Sequence, residues 1–160
     1  MSDCSVTWDL VRGRFLGSLE GLSDAQLNWR LHPKSLTIGE AAIHVAGVEM
    51  FFASQLQADS LDGLDARVAQ ASTQGVVNDL EFPFGEEEIT VELVTQILDR
   101  ASAYLRPLIE EPDAWRGHSI VSALGPVIDG TGAFARLAYH PAYHHAQVYL
   151  ISTAPEFPAV

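Results

Sequence analysis

The sequence predicts an all-α fold, a four-helix bundle with long crossover connections, built by one domain over residues 1–160. Four segments repeat apolar residues at three- and four-residue steps, the signature of a helix with one buried face. None alternates apolar and polar residues as a half-buried strand does. Two long polar stretches separate the second segment from the third and the third from the fourth, which a bundle with crossovers accommodates. With 160 residues, 48% apolar and 19% charged, the chain has room for one ordinary core.

The first helix is expected from Val6 to Leu19, where Trp8, Val11, Phe15 and Leu19 share a face. Gly21 and Leu22 close it. Ser23-Asp24-Ala25-Gln26 reads as the capping box of a short second helix, and Asn28 to Ser35, with Pro33, as a loop. A second capping box, Thr37-Ile38-Gly39-Glu40, opens a long helix reaching Leu56. That helix is apolar on almost every side, so several neighbours or a subunit interface must cover it. From Asp59 to Glu88 the pattern breaks up, with a short helix near Leu64 to Ala71 and a turn at Phe82-Pro83-Phe84-Gly85. The next long helix is capped by Thr90 and carries the stripe Val91, Val94, Leu98, Ala101, Leu105 and Leu108. Pro107 is expected to kink it or end it early. Glu111 to Gly130 reads as a loop holding Pro112, Trp115, Gly125 and Pro126, with a short extended stretch at Ser119 to Val121. The last helix runs from about Thr131 to Ser152 and leaves a tail from Ala154 to Val160.

Charge narrows the function classes. Nine basic residues against 21 acidic ones give a formal charge of −12, which repels phosphate backbones and anionic lipid heads. No nucleic-acid partner is therefore expected, and no membrane partner either, since no apolar stretch approaches the ~18 residues of a span. The N-terminus does not read as a secretion signal, so a cytoplasmic location is expected. Cys4 excludes an internal disulfide, and its place in a segment expected to fray argues against a nucleophile.

The chemistry concentrates in His140-Pro141-Ala142-Tyr143-His144-His145-Ala146-Gln147. The inward stripe of the last helix should be Ala133, Leu137, His140, His144, Gln147 and Ile151, a seam that normally holds Leu and Ile. Histidines four apart stand one turn apart on one face and can share a metal ion. His145 is turned about 100° from that seam. His44 lies in the middle of the most apolar helix without a charged neighbour. Three buried imidazoles each lacking a partner are costly, about 1–3 kcal/mol apiece. Around one divalent cation they would leave an open position for water or substrate, as in a catalytic site. The residues alone also admit a hydrogen-bonded core histidine at 44 and a solvated pair at 140 and 144. Glu40 reads as the capping-box glutamate rather than as a partner for His44. Gln147 is open between orienting the site and satisfying backbone. His32 and His118 lie in loops, and Pro141 stands where an HExxH motif would have its glutamate.

The stretches Gly21-Leu22-Ser23-Asp24-Ala25-Gln26-Leu27, Thr37 to Val45 and His140 to Gln147 resemble the DinB/YfiT-like superfamily. Its order is a turn, a "siGE...H" helix and a late "HxxxHxxQ" helix. The likeness covers Trp8 to Leu150 and is weakest from Asp59 to Glu88. It implies a four-helix bundle, a homodimer, and a divalent metal, Zn²⁺ or Ni²⁺, held by His44, His140 and His144. It further implies a thiol-dependent S-transferase acting on a small-molecule substrate with a low-molecular-weight thiol such as bacillithiol or mycothiol. A metal-dependent hydrolase and a non-catalytic ligand-binding or stress-related module with a structural metal are the alternatives. Gln147 and Tyr143 are the candidate orienting groups, and Arg12, Arg30, Lys34 and Arg136 the candidate cations for an anionic thiol. Two positions depart from the pattern: Pro141 directly after the first paired histidine, and Ala146 where glycine is frequent.

Overall fold

The computed structural model describes residues 2–123 and 127–159. Four long helices make the bundle: α1 (Asp3–Gly17), α3 (Ile38–Gln57), α5 (Val91–Glu110) and α6 (Gly130–Ser152). Two short ones, α2 (Asp24–Asn28) and α4 (Gly63–Gln70), brace it from the connections. Both anticipated capping boxes form, Ser23 with Gln26 and Thr37 with Glu40. A third, Ser2 with Ser5, opens α1, and Ser2 Oγ also donates to the Ile109 carbonyl at 2.6 Å. The N-terminal segment is therefore tied down rather than frayed, and Cys4 is half-buried against the core.

The direction of each helix follows from its core partners. Phe15, Ile38, Val94 and Ile151 share one end of the core, and Trp8, Leu56, Leu105 and Phe134 share the other. Hence α1 and α6 run one way, α3 and α5 the other, and residues 58–90 must travel the length of the bundle. The connection 111–129 joins neighbouring ends. It holds a 3₁₀ turn (Pro112–Trp115) and a hairpin of β1 (Ser119–Val121) and β2 (Val127–Asp129), paired Ser119 to Asp129 and Val121 to Val127. The extended stretch was anticipated, its partner strand was not. Gly125 and Pro126 of that connection, and Val160 of the tail, lie outside the described residues.

α3 is the hub. Only Phe51, Gln55 and Gln57 of its residues escape burial, because α2, α4, α5, α6 and β1 all pack on it. Its all-round apolarity is thus accounted for within one chain. The α1 stripe differs from expectation. Trp8 and Phe15 are fully buried, while Val11 and Leu19 are half-buried and Leu19 lies past the helix end. Arg12 fills the core instead, bonding Glu49 of α3 through Nε at 3.0 Å and the Leu98 carbonyl of α5 through Nη2 at 2.6 Å. Trp8 Nε1 donates to the same Glu49 at 2.9 Å. On α5 the stripe is buried from Val94 onward, but Val91 is exposed. The helix runs past Pro107 to Glu110: Pro107 and Ala103 both face water, which satisfies the carbonyl that proline leaves without a donor. Among the described residues no helix is long and apolar enough to cross a membrane.

Candidate metal centre

His44 sits in the second turn of α3, on the side facing α4. Its Nδ1 lies 2.8 Å from the Ala71 carbonyl, and since a carbonyl only accepts, Nδ1 carries the proton and Nε2 is left free. Ala71 caps the C-terminus of α4. It comes this close because position 47 has no side chain. A Cβ on Gly47 would stand 2.5 Å from the Val68 carbonyl oxygen and 2.9 Å from Ser72 N.

On α6, His140 and His144 face the same side one turn apart, with Nε2 atoms 3.1 Å from each other. Pro141 stays within the helix and does not disrupt the pairing. The His44 ring stands 5.1 Å from that of His140 and 4.7 Å from that of His144. One nitrogen from each of the three lies within 4.8 Å of the others, and all three side chains are buried.

Burial decides their charge. Desolvation, then the neighbouring imidazoles His144 and His44, push His140 down to about 2. Desolvation and His44 push His144 down to about 3, against the opposing influence of Gln147. His44 is lowered as well, chiefly by burial, though its bond to Ala71 pulls the other way. All three are neutral at neutral pH, the form in which imidazole binds metal.

Such a cluster fits a metal ion. Metal–nitrogen bonds of about 2.0–2.1 Å place adjacent ligand nitrogens roughly 2.9–3.4 Å apart for octahedral to tetrahedral angles, and the paired Nε2 atoms stand at 3.1 Å. Two neutral imidazoles facing through unprotonated nitrogens would otherwise repel, and among the described residues His140 Nδ1 and His144 Nδ1 meet no hydrogen-bond partner to hold a tautomer. The three buried histidines could therefore hold one divalent ion. Their donor set does not discriminate among zinc, nickel, copper and iron.

The centre forms the floor of a cavity of about 1020 Å³, walled in part by Phe51, Tyr139 and Tyr143. Gln147 is half-buried at its edge, and Val148 takes the core position on that turn. Tyr143 is exposed and sets its ring edge-on to His144 at 5.0 Å. His145 is half-exposed outside the cluster, and His32 and His118 are exposed. Glu40 makes its capping bond to Thr37 N at 2.8 Å and pairs with Arg30 at 2.7 Å. The candidate cations separate: Arg12 is consumed in the core by Glu49, while Arg30, Lys34 and Arg136 line the cavity. The Ala71 carbonyl escaped the sequence reading because a backbone acceptor leaves no mark on residue type. Gly47 was its one indirect signal.

A sequence profile of the DinB superfamily matches residues 7–148. No curated protein and no solved structure matches the chain.

Proposed function

This chain belongs to the DinB superfamily, and from that premise we propose that it is a thiol-dependent S-transferase with Zn²⁺ or Ni²⁺ on His44, His140 and His144. The observation that carries this reading is the position of three neutral, buried imidazoles at the floor of a large open cavity. When bound, a divalent ion there supplies an open coordination position and lowers the pKa of a thiol, so that the nucleophilic form is populated at neutral pH. The remaining work falls to the protein. The Ala71 carbonyl fixes the tautomer and aim of His44. Gln147 and Tyr143 orient the reactants, and the aromatic walls hold an electrophilic small molecule out of water. Sulfur then attacks carbon as the bond from that carbon to its leaving group breaks.

The thiol reading is favoured over hydrolysis by one feature. The carboxylate found among the described cavity residues, Glu40, has both oxygens engaged, by Thr37 N and by Arg30, and is not poised as a general base for water. A thiol, with a pKa of about 8.5 against about 15.7 for water, gives up its proton to solvent with less help than water needs. We further read the protein as a cytoplasmic homodimer. The acidic charge supports solubility, and exposed apolar side chains outside the cavity, Val6 and Leu10 of α1 and Tyr149 of α6, support self-association.

The test is a panel in which metal-loaded protein meets monochlorobimane with and without several low-molecular-weight thiols, beside ester and amide substrates. Turnover only with a thiol is the expected result. Ester or amide turnover without thiol establishes the hydrolase instead, and tight ligand binding without turnover the binding module.

A further inference from the structure

Four buried side-chain atoms among the described residues lack a hydrogen-bond partner: Ser72 Oγ, Arg136 Nε, His140 Nδ1 and His144 Nδ1. All four belong to residues lining the same cavity. Buried polar atoms are nearly always satisfied within a protein. Their concentration around one cavity shows that the polar side chains of its lining are not fully paired within the chain.

Arg136 is the cation among them. Of nine basic side chains in the sequence, Arg12, Arg30, Arg67, Arg100, Arg106 and Arg116 pair with carboxylates. Arg14 and Lys34 are exposed to water. Arg136 is half-buried, and among the described residues it faces no carboxylate, in a chain with 21 acidic residues to choose from. Its Nη1 makes a long 3.3 Å bond to Ser122 Oγ, and its guanidinium carbon stands 6.0 Å from the Phe52 ring. Neither contact neutralises its charge. Arg136 also precedes His140 by one turn of α6, so a group held by it lies beside the imidazole cluster.

We propose that this cavity takes a small amphipathic carboxylate, its oxygens held by the Arg136 guanidinium and its apolar body lying between Phe51, Tyr139 and Tyr143. The proposal rests on reading the cavity as the substrate site of the metal centre. A planar pair of oxygens is the acceptor that matches a guanidinium edge. The overall charge of −12 repels anions, so a local cation is what makes a carboxylate acceptable here. Glu40 neutralises Arg30 in the same lining, and Lys34 there is exposed to water, where a charge contributes little, so half-buried Arg136 is the discriminating group.

Calorimetric titration of the full-length protein with phenylacetate and with phenylacetamide, before and after chelation of metal, tests this. Phenylacetate should bind at least about tenfold more tightly than the amide in both forms, the usual margin of a charge-assisted bond. Arg136→Gln should remove that preference and leave the amide unchanged, with helicity by circular dichroism as the folding control. Arg136→Lys keeps the charge without the planar guanidinium and should lose part of the affinity; full affinity in Arg136→Lys overturns the role of the guanidinium. Equal phenylacetate binding by wild type and Arg136→Gln, or none by wild type, overturns the proposal. Binding that requires metal but not Arg136 also overturns it, while leaving the metal centre standing. A protein that takes up no divalent ion yet binds phenylacetate through Arg136 removes the metal reading alone.

Discussion

His140 and His144 are held neutral by the water they lack and by the imidazoles beside them, and that costs stability when protons are plentiful. Their folded values, about 2 and about 3, lie below the unfolded value of 6.5. Only the unfolded chain therefore takes up these protons as pH falls below 6.5. Stability is complete above that pH and declines below it, by about 1.4 kcal/mol per pH unit for each imidazole. The urea midpoint of chelator-treated protein should fall steadily from pH 7 to pH 5, and a His140→Leu/His144→Leu variant should show a shallower fall. Equal slopes would remove these residues as the cause. The same side chains should govern metal content. Purified protein is expected to carry about one equivalent of divalent ion, dropping to a small fraction in His44→Ala, His140→Ala or His144→Ala. Full retention of metal in all three, measured by plasma emission, would dissolve the site.

At the scale of elements, the centre depends on how closely α4 approaches α3. Because a Cβ at position 47 would meet three backbone atoms of residues 68–72, Gly47→Ala must push the end of α4 outward. The expected cost is about 1–3 kcal/mol of stability. The displaced Ala71 carbonyl should also loosen His44 and weaken metal binding by roughly 10–100-fold. A competition titration against a chromogenic chelator reads the second effect apart from the first, and unchanged affinity would show that the Ala71 bond does not position His44. A second joint is the buried Arg12–Glu49 pair, which ties α1 to α3 and, through the Leu98 carbonyl, to α5. Glu49→Ala strands Arg12 and frees Trp8 Nε1 in the core, so a loss of about 3–5 kcal/mol in denaturant unfolding is expected. A loss under about 1 kcal/mol would mean that water reaches the arginine.

For the whole molecule, association is the property most exposed to test. Burial of α3 within the chain withdraws its apolarity as an argument for a partner, and Phe52 is likewise covered. Exposed apolar side chains outside the cavity lining remain, among them Val6 and Leu10 of α1 and Tyr149 of α6, 50–63% exposed. Sedimentation equilibrium at micromolar concentration should show a dimer, and Tyr149→Glu, which is not part of the cavity lining, should shift it toward monomer. A wild-type monomer under those conditions removes the homodimer.

Helix positions, both anticipated capping boxes and the His140/His144 pair were legible in the sequence because each is written in local spacing: three- and four-residue steps, a Ser or Thr three before Gln or Glu, an i,i+4 imidazole pair. Seam placement alone could bring His140 and His144 to one side of α6, since helix geometry is the same wherever the helix packs. The third histidine was different. Its meeting with the pair depends on α3 crossing α6 at the right height, which no local pattern encodes. Three-dimensional packing also decided which cations mattered: residue type made Arg12, Arg30 and Arg136 equivalent, whereas distance gave Glu49 to the first, Glu40 to the second and no carboxylate among the described residues to the third. Exposure of Ala103 decided that Pro107 would not end its helix, and a missing side chain at Gly47 decided where the Ala71 carbonyl came to rest. The sequence by itself determined the helices and the donor chemistry, because both follow from neighbours along the chain. Only the tertiary structure decided the burial, neutrality and partners of those donors, because these depend on residues that are distant in sequence and adjacent in space.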